Sequence, residues 1–441
     1  MKWLKKFATH AEYEAYMSGS SVYYPNISLV ESEYEIHMTD VGEVITPHDY
    51  SQDYLTFKVT SLGNINWSSM SEDNFATIEY SKNDGEWTEI TALPFESETP
   101  TTINVVAGDT VKFRGNNNAY ASTDRYVFGA FAQSTCGFEL EGNIMSLIYS
   151  SDFEGKTIMT SANNAAFSSM FRGCTGLTSA ENLILPATTL ASSCYSIMFD
   201  GCTSLTTAPE LPATTLVDNC YDAMFFGCTS LTTAPELPAT TLASGCYGAM
   251  FNGCTSLTTA PELPATTLVD NCYDGMFFGC TSLTTAPALP ATTLATYCYT
   301  DMFRDCTSLT TAPALPATTL ATYCYAGMFG GCTSLTTAPE LPATTLASGC
   351  YSYMFGACTA LTTAPELPAT TLPNWCYTDM FENCTSLNYI KCLATDISGM
   401  VCTNLWVSGV ASTGTFVKNA SMTGWTTGVN GIPSNWTVED A

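Results

Sequence analysis

From Ser244 to Val269 the chain reads SGCYGAMFNGCTSLTTAPELPATTLV, and this 26-residue stretch returns along the sequence with few changes. A Cys-Tyr pair opens each copy, at Cys194, Cys220, Cys246, Cys272, Cys298, Cys324, Cys350 and Cys376, and a second cysteine follows eight residues later. A degenerate first copy ending at Cys174 makes nine. Units this short cannot bury an apolar face alone, so they must stack on one another into a continuous core. The array therefore reads as a solenoid, spanning residues 166–393.

Comparing copies shows which side of the unit looks inward. Counted from the first cysteine, Cys, Tyr, Met, Phe and Cys at 0, +1, +4, +5 and +8 hardly change, whereas +2, +3, +6 and +7 vary freely. At about 100° per residue the constant set covers an arc of about 140°, the pattern of a short amphipathic helix. Two residues before each pair stands Ser192, Asp218, Ser244, Asp270, Thr296, Thr322, Ser348 or Asn374, each able to cap a helix N-terminus. The segment LTTAPELPATTL suits short extended pieces, held to three or four residues by its prolines. Helices pack about 8–10 Å apart and strands about 4.8 Å apart, so a curved α/β solenoid is expected.

The run MFNGCTSLTTAPELP resembles the A-F-x-x-C-x-x-L-x-x-I-x-I-P core of BspA-like leucine-rich repeats. The match covers roughly Ala166 to Leu393 and departs from the family in unit length and in carrying Ala-Pro where an Ile-rich strand is usual. The resemblance implies a surface protein of gut bacteria or of their phages.

The rest of the chain divides around this array into a multidomain plan. Residues 1–48 form an anchor segment: HAEYEAYM predicts a helix with Tyr13 and Tyr16 on one side, after Phe7, and extended pieces follow. The opening KKFATHAEYEAYMSGS, with PNISLVESEYEIH behind it, resembles a leader found on structural and adhesin-like proteins of Bacteroidales phages, crAss-like ones included. That resemblance implies attachment to other virion proteins. Residues 49–147 predict an all-β sandwich from seven short runs (YLTFKV, FATIEYS, EWTEIT, TINVV, TVKFRG, YVFGAFA and FELEGNIM), with turns at Asn83-Asp84-Gly85 and Ala107-Gly108-Asp109. Residues 148–165 then cap the start of the solenoid. Residues 394–441, where the period fails and Trp406, Phe416, Trp425 and Trp436 occur, cap its end.

Thirteen Lys and Arg against 41 Asp and Glu leave a formal charge of −28, which argues against nucleic-acid or anionic-membrane partners. The first residues hold no apolar run of the about 7–15 residues a secretory signal needs, and no run reaches the about 18 of a membrane span. Assembly inside the cell and a place on the virion surface are the expectation; a cell-surface location is the alternative. The twenty cysteines are expected as free, buried, small apolar residues. Two of them eight residues apart on a helix lie about 12 Å from each other, beyond disulfide reach.

No catalytic residue, metal ligand or cofactor site is expected. The three histidines, His10, His37 and His48, stand far in sequence from every cysteine, and no P-loop, GxSxG, HExxH or dinucleotide glycine pattern occurs. A column of Glu210, Glu236, Glu262, Glu340 and Glu366 reads as a solvated face, with calcium as the alternative. The variable side of the repeats carries Phe226, Phe278, Tyr297, Tyr323, Tyr353 and Trp375 among Asp301, Asp379 and other acids, the equipment of carbohydrate or protein contact. The expectation is a non-enzymatic phage fibre or decoration protein that binds a host glycan or protein through this side. A BspA-like cell-surface adhesin, a carbohydrate-binding accessory of an enzyme, and a homo-oligomer contact on the same side are the other readings.

Overall fold

The computed structural model describes residues 4–7, 34–37, 53–69, 76–91, 93–94, 101–120, 130–132 and 134–441. The chain forms two compact units, Met1–Asp53 and Tyr54–Ala441. In the first, β1 (Leu4–Phe7) and β2 (Tyr34–His37) pair antiparallel, with Phe7 opposite Tyr34. The helix expected around Tyr13 and Tyr16 lies outside the described residues.

The second unit starts with two facing sheets. The larger contains β3 (Leu55–Val59), β5 (Thr77–Lys82), β6 (Thr88–Thr91), β9 (Thr110–Gly115), β10 (Phe138–Asn143) and β11 (Leu177–Ile184), in the order β11-β10-β3-β9-β5-β6. The smaller runs β7-β4-β8 and contains β4 (Gly63–Ser69), β7 (Leu93–Pro94) and β8 (Thr101–Val105). Alternation puts Phe57 and Phe113 of one sheet and Ile65 and Trp67 of the other into a shared core. Asn83 and Asp84 both take positive φ, 53° and 55°, in the turn between β5 and β6, a type I′ geometry that these residue types tolerate.

Two strand expectations need correction. YVFGAFA is not a strand where it is described: Ala130, Phe131 and Ala132 lie in a turn. Phe131 instead plugs the core, its ring 4.9 Å from both Phe57 and Trp67. GNINWSS, which is not among the seven runs, is β4, because Ile65 and Trp67 alternate inward.

The first repeat is built onto this sheet. Strand β11 lies in it and pairs parallel with β10, which itself pairs antiparallel with β3. Rings continue the join: Phe131 stacks on Phe171 at 5.6 Å, and Phe171 stacks on Phe199 at 5.5 Å.

The helices expected on the repeats are absent. Among the described residues the only α-helix is α1 (Ser146–Tyr149), and each Cys-Tyr-to-Cys segment is a chain of overlapping turns. In the unit from Ser244, the N–H groups of Cys246, Gly248, Met250, Asn252 and Cys254 each donate to the carbonyl three residues back. The alternate N–H groups, of Tyr247, Ala249, Phe251 and Gly253, donate instead to Cys272, Asp274, Met276 and Phe278 of the next unit at 2.7–3.1 Å. Every fourth residue is left-handed: Gly245 at φ 60°, Ala249 at 48° and Gly253 at 73°. The same positions, −1, +3 and +7, repeat this conformation from Ala165, Ser169 and Gly173 through to Val401, Leu405 and Gly409. A period of four residues places 0, +4 and +8 in one inward row and +1 and +5 in another, so the inward set matches the sequence reading although the backbone does not. Because this turn wall is hydrogen-bonded from unit to unit, the helix–strand mismatch that predicted curvature does not arise.

The supposed cap residues also act between units. Asp218 Oδ1 accepts the N–H of Ser244 at 3.2 Å, Asp270 Oδ1 that of Thr296 at 2.9 Å, and Asn374 Oδ1 that of Met400 at 2.8 Å. On the opposite wall the extended pieces shrink to single parallel bridges through Thr207, Thr233, Thr259, Thr285, Thr311 and Thr337, since proline supplies no N–H for a longer ladder.

Between the walls, side chains stack in columns. Tyr195 to Tyr377 form one ladder of parallel rings 5.8–6.2 Å apart, and Phe171 to Phe381 another at 5.4–5.9 Å. Both end on Trp406, 6.1 Å from Tyr377 and 6.4 Å from Phe381. Strands β12 (Tyr389–Cys392), β13 (Thr415–Lys418) and β14 (Thr437–Asp440) close this end as a parallel sheet. All twenty cysteines are free and buried. The thiols of the second column donate to the Phe carbonyl of the preceding unit, as Cys254 Sγ does to Phe225 at 3.1 Å.

Candidate binding surface on the turn wall

The outer side of the turn wall is where units differ, and the left-handed backbone decides how its side chains lie. At −1 the units carry Ser193, Asn219, Gly245, Asn271, Tyr297, Tyr323, Gly349 and Trp375. Glycine and asparagine suit φ near +55°, whereas an L side chain there costs about 1–2 kcal/mol. Tyr297 (56°), Tyr323 (54°) and Trp375 (57°) accept that cost, as does Tyr353 (53°) at +3.

Their rings rest on the wall itself. Tyr297 and Tyr323 stack at 5.2 Å with planes 3° apart. Tyr323 lies over Gly349, where an added Cβ would meet its ring at 2.2 Å. Tyr353 fills the space over Gly330 and Gly356, at 2.6 and 2.3 Å by the same measure. Those glycines act as seats, and any side chain in them would unseat the ring.

Tyr353 also covers Arg304, whose guanidinium carbon is 4.9 Å from its centroid and 5.7 Å from that of Phe278. Arg304 Nη1 donates to Asp301 Oδ1 at 3.2 Å, and the two side chains keep 37% and 30% of their surface exposed. Arg304 is the one Lys or Arg between residues 173 and 390, among fifteen acids. That isolation was visible in the sequence but the residue was not singled out; the seating glycines were missed with it.

The structure thus gathers Phe278, Asp301 and Tyr353 around Arg304, and stacks Tyr297 on Tyr323 at the −1 position of the same and the next unit. Trp375 is on the unit beyond Gly349, in the same column as Tyr323. Asp379 is in the unit after Tyr353 and half-buried, with Oδ1 buried and without a partner; burial, then Glu382, raises its pKa. Phe226, exposed at 40%, stands apart, with the Asn252 unit between it and Phe278. Asp274 borders the group, and burial, with Asp301 and Asp222 beside it, pushes its pKa up to about 6.

Other candidate chemistry is quieter. Burial pushes the thiol of Cys246 up to about 12, so it carries no thiolate near neutrality. Glu210, Glu236, Glu262, Glu340 and Glu366 are all exposed, and Glu366 pairs with Lys391 at 3.1 Å. Among the described residues no group of three His, Cys, Asp or Glu side chains is placed to hold a metal ion. Where Ala288 and Ala314 interrupt the glutamates, a shallow groove of about 430 Å³ is lined by Ala286, Pro287, Leu289, Pro290, Pro313 and Pro316 with them. Among the described residues no helix is long and apolar enough to cross a membrane.

A stack of short units, hydrogen-bonded along two walls around ladders of buried side chains and varied only on its outer face, defines a repeat solenoid of the binding kind. The model of the BspA type leucine-rich repeat region matches in six copies over residues 148–259, 247–362 and 296–398, more than half of the chain, and the chain belongs to that family. The family is in general one of non-enzymatic repeat modules of surface-exposed proteins. No curated protein and no solved structure matches the chain.

Proposed function

We propose that this protein is a non-enzymatic adhesion protein of a phage particle, attached through residues 1–48 and binding the host surface with the outer side of its turn wall. One observation carries the adhesive reading: four aromatic residues hold the left-handed conformation at positions where most sister units place Gly, Ala, Asn, Ser or Asp. Their rings lie on the outside, so core burial does not offset the strain, and local strain held in this way is characteristic of functional surfaces. The charge of −28 disfavours nucleic acid as the partner.

The particle assignment rests on the leader resemblance. Family membership favours a second reading, an adhesin on a bacterial cell surface. Mass spectrometry of purified particles and of the bacterial cell-surface fraction separates the two, since the chain is expected in the former and its confinement to the latter overturns the assignment. Adhesion itself is tested by binding of the fluorescently labelled chain to intact Bacteroidales cells, with Tyr323→Asn as the control. No binding to any strain of a broad panel overturns the adhesive reading.

A further inference from the structure

We propose that Arg304, Asp301, Tyr353 and the Tyr297–Tyr323 pair form a subsite for an uncharged carbohydrate chain, a proposal that rests on the adhesive reading of the turn wall. Tyr323 and Tyr353 each have one side set against glycine backbone. A ring backed in this way is a fixed platform, and the C–H face of a pyranose is the ligand surface that stacks on one with little loss of side-chain freedom.

The polar groups beside the platforms complete the recognition. Arg304 spends one N–H on Asp301 at 3.2 Å and is steadied by Phe278 and Tyr353 on its two sides, which leaves further guanidinium donors. Asp301 retains acceptor positions next to them. A donor and an acceptor side by side match neighbouring hydroxyls of a sugar, each of which both donates and accepts.

Charge selects among glycans and against other partners. Asp274, Asp301, Asp305 and Asp379 lie in or around the group, so a sialylated, sulfated or uronate chain meets like charge. A basic protein segment, which the net charge attracts at long range, meets Arg304 at the centre of the surface. An uncharged polyol incurs neither penalty.

The test applies the full-length chain to a printed array of neutral gluco-, manno- and galacto-oligosaccharides beside sialylated, sulfated and uronate-bearing ones, followed by calorimetric titration of the hits. The variants are Arg304→Gln, Tyr323→Asn and Tyr353→Gly; the latter two put in residues that sister units already carry at these positions, as at Asn271 and Gly327, so the fold tolerates them. Neutral hits are expected, with affinity unchanged between low and high salt. Each variant should weaken them about tenfold or more, the scale of one lost ring stack or charged hydrogen bond, while the unfolding midpoint holds or rises. Hits confined to anionic glycans, or neutral hits untouched by all three variants, overturn the proposal. Cell binding that the variants abolish, with no glycan hit, also overturns it and assigns the surface to a protein partner, leaving the adhesive reading standing. Absence of both cell and glycan binding removes the two together.

Discussion

Exchanging glycine and alanine at two positions of one unit inverts the usual rule if the turn wall is built as described. Gly253 has φ 73°, and a Cβ added there meets only the Cα and N of Gly227 at 3.6 and 3.7 Å, ordinary contact distances. Gly253→Ala therefore introduces no clash. It places an L side chain in the left-handed region, at about 1–2 kcal/mol, while the stiffer unfolded chain returns about 0.4–1 kcal/mol. The net is a loss of about 1 kcal/mol. Ala249, at φ 48° and half-buried, is the mirror case, and Ala249→Gly should gain a few tenths to about 1 kcal/mol. In a helix both signs reverse, because alanine is favoured over glycine by about 1 kcal/mol in a helix interior. The two backbones thus differ by about 2 kcal/mol at each site. Urea unfolding under reducing conditions, followed by tryptophan fluorescence and circular dichroism, reads the difference as opposite shifts of midpoint at constant slope. A raised midpoint for Gly253→Ala together with a lowered one for Ala249→Gly would refute the tandem-turn backbone and restore the helix.

Further expectations follow from the columns and the outer face. Phe251, with no exposed surface and rings on either side at 5.7 and 5.6 Å, should cost about 3–5 kcal/mol when cut to Ala; a loss below about 1 kcal/mol in the same urea experiment would mean the column is not a packed core. The cysteines should resist iodoacetamide at pH 8 in the folded chain and react throughout after unfolding without reductant, read by intact mass, since burial holds their thiols protonated; unreactive thiols after unfolding would indicate disulfides. Asp274, with a folded pKa about 6 against 3.8 for the free group, binds more protons folded than unfolded between those values. Its contribution is therefore greatest below pH about 4 and is lost as pH rises through about 6. Asp274→Asn should raise stability at pH 7 and flatten that part of the profile, and an unchanged pH profile would show that the carboxylate is fully solvated.

Much of the candidate site was legible without coordinates. Copies of one unit inside one chain report which positions are constrained, and variation at +2, +3, +6 and +7 marked the outer face with Phe278 and Tyr353 on it, while Tyr297 and Tyr323 vary at −1. Which of these meet was not legible, because contact depends on how far a ring leans along the column. Tyr353 reaches Arg304, two units back, only because Gly330 leaves the space between them empty.

The amino-acid sequence by itself determined the period, the inward residues and the need to stack, since each follows from apolar spacing and from a unit too short to bury its own face. It also carried the sign of the turn wall, in the Gly, Asn and Asp that gather at −1, +3 and +7, but an inward set at 0, +1, +4, +5 and +8 fits a period of 3.6 nearly as well as one of 4 over so few residues. Only the tertiary structure decided between them. An isolated segment makes its backbone hydrogen bonds with itself and favours the helix. A segment flanked by copies of itself can give every second N–H to a neighbour, as Ala249 does to Asp274 at 2.7 Å, and those bonds offset the left-handed residues that aim them there.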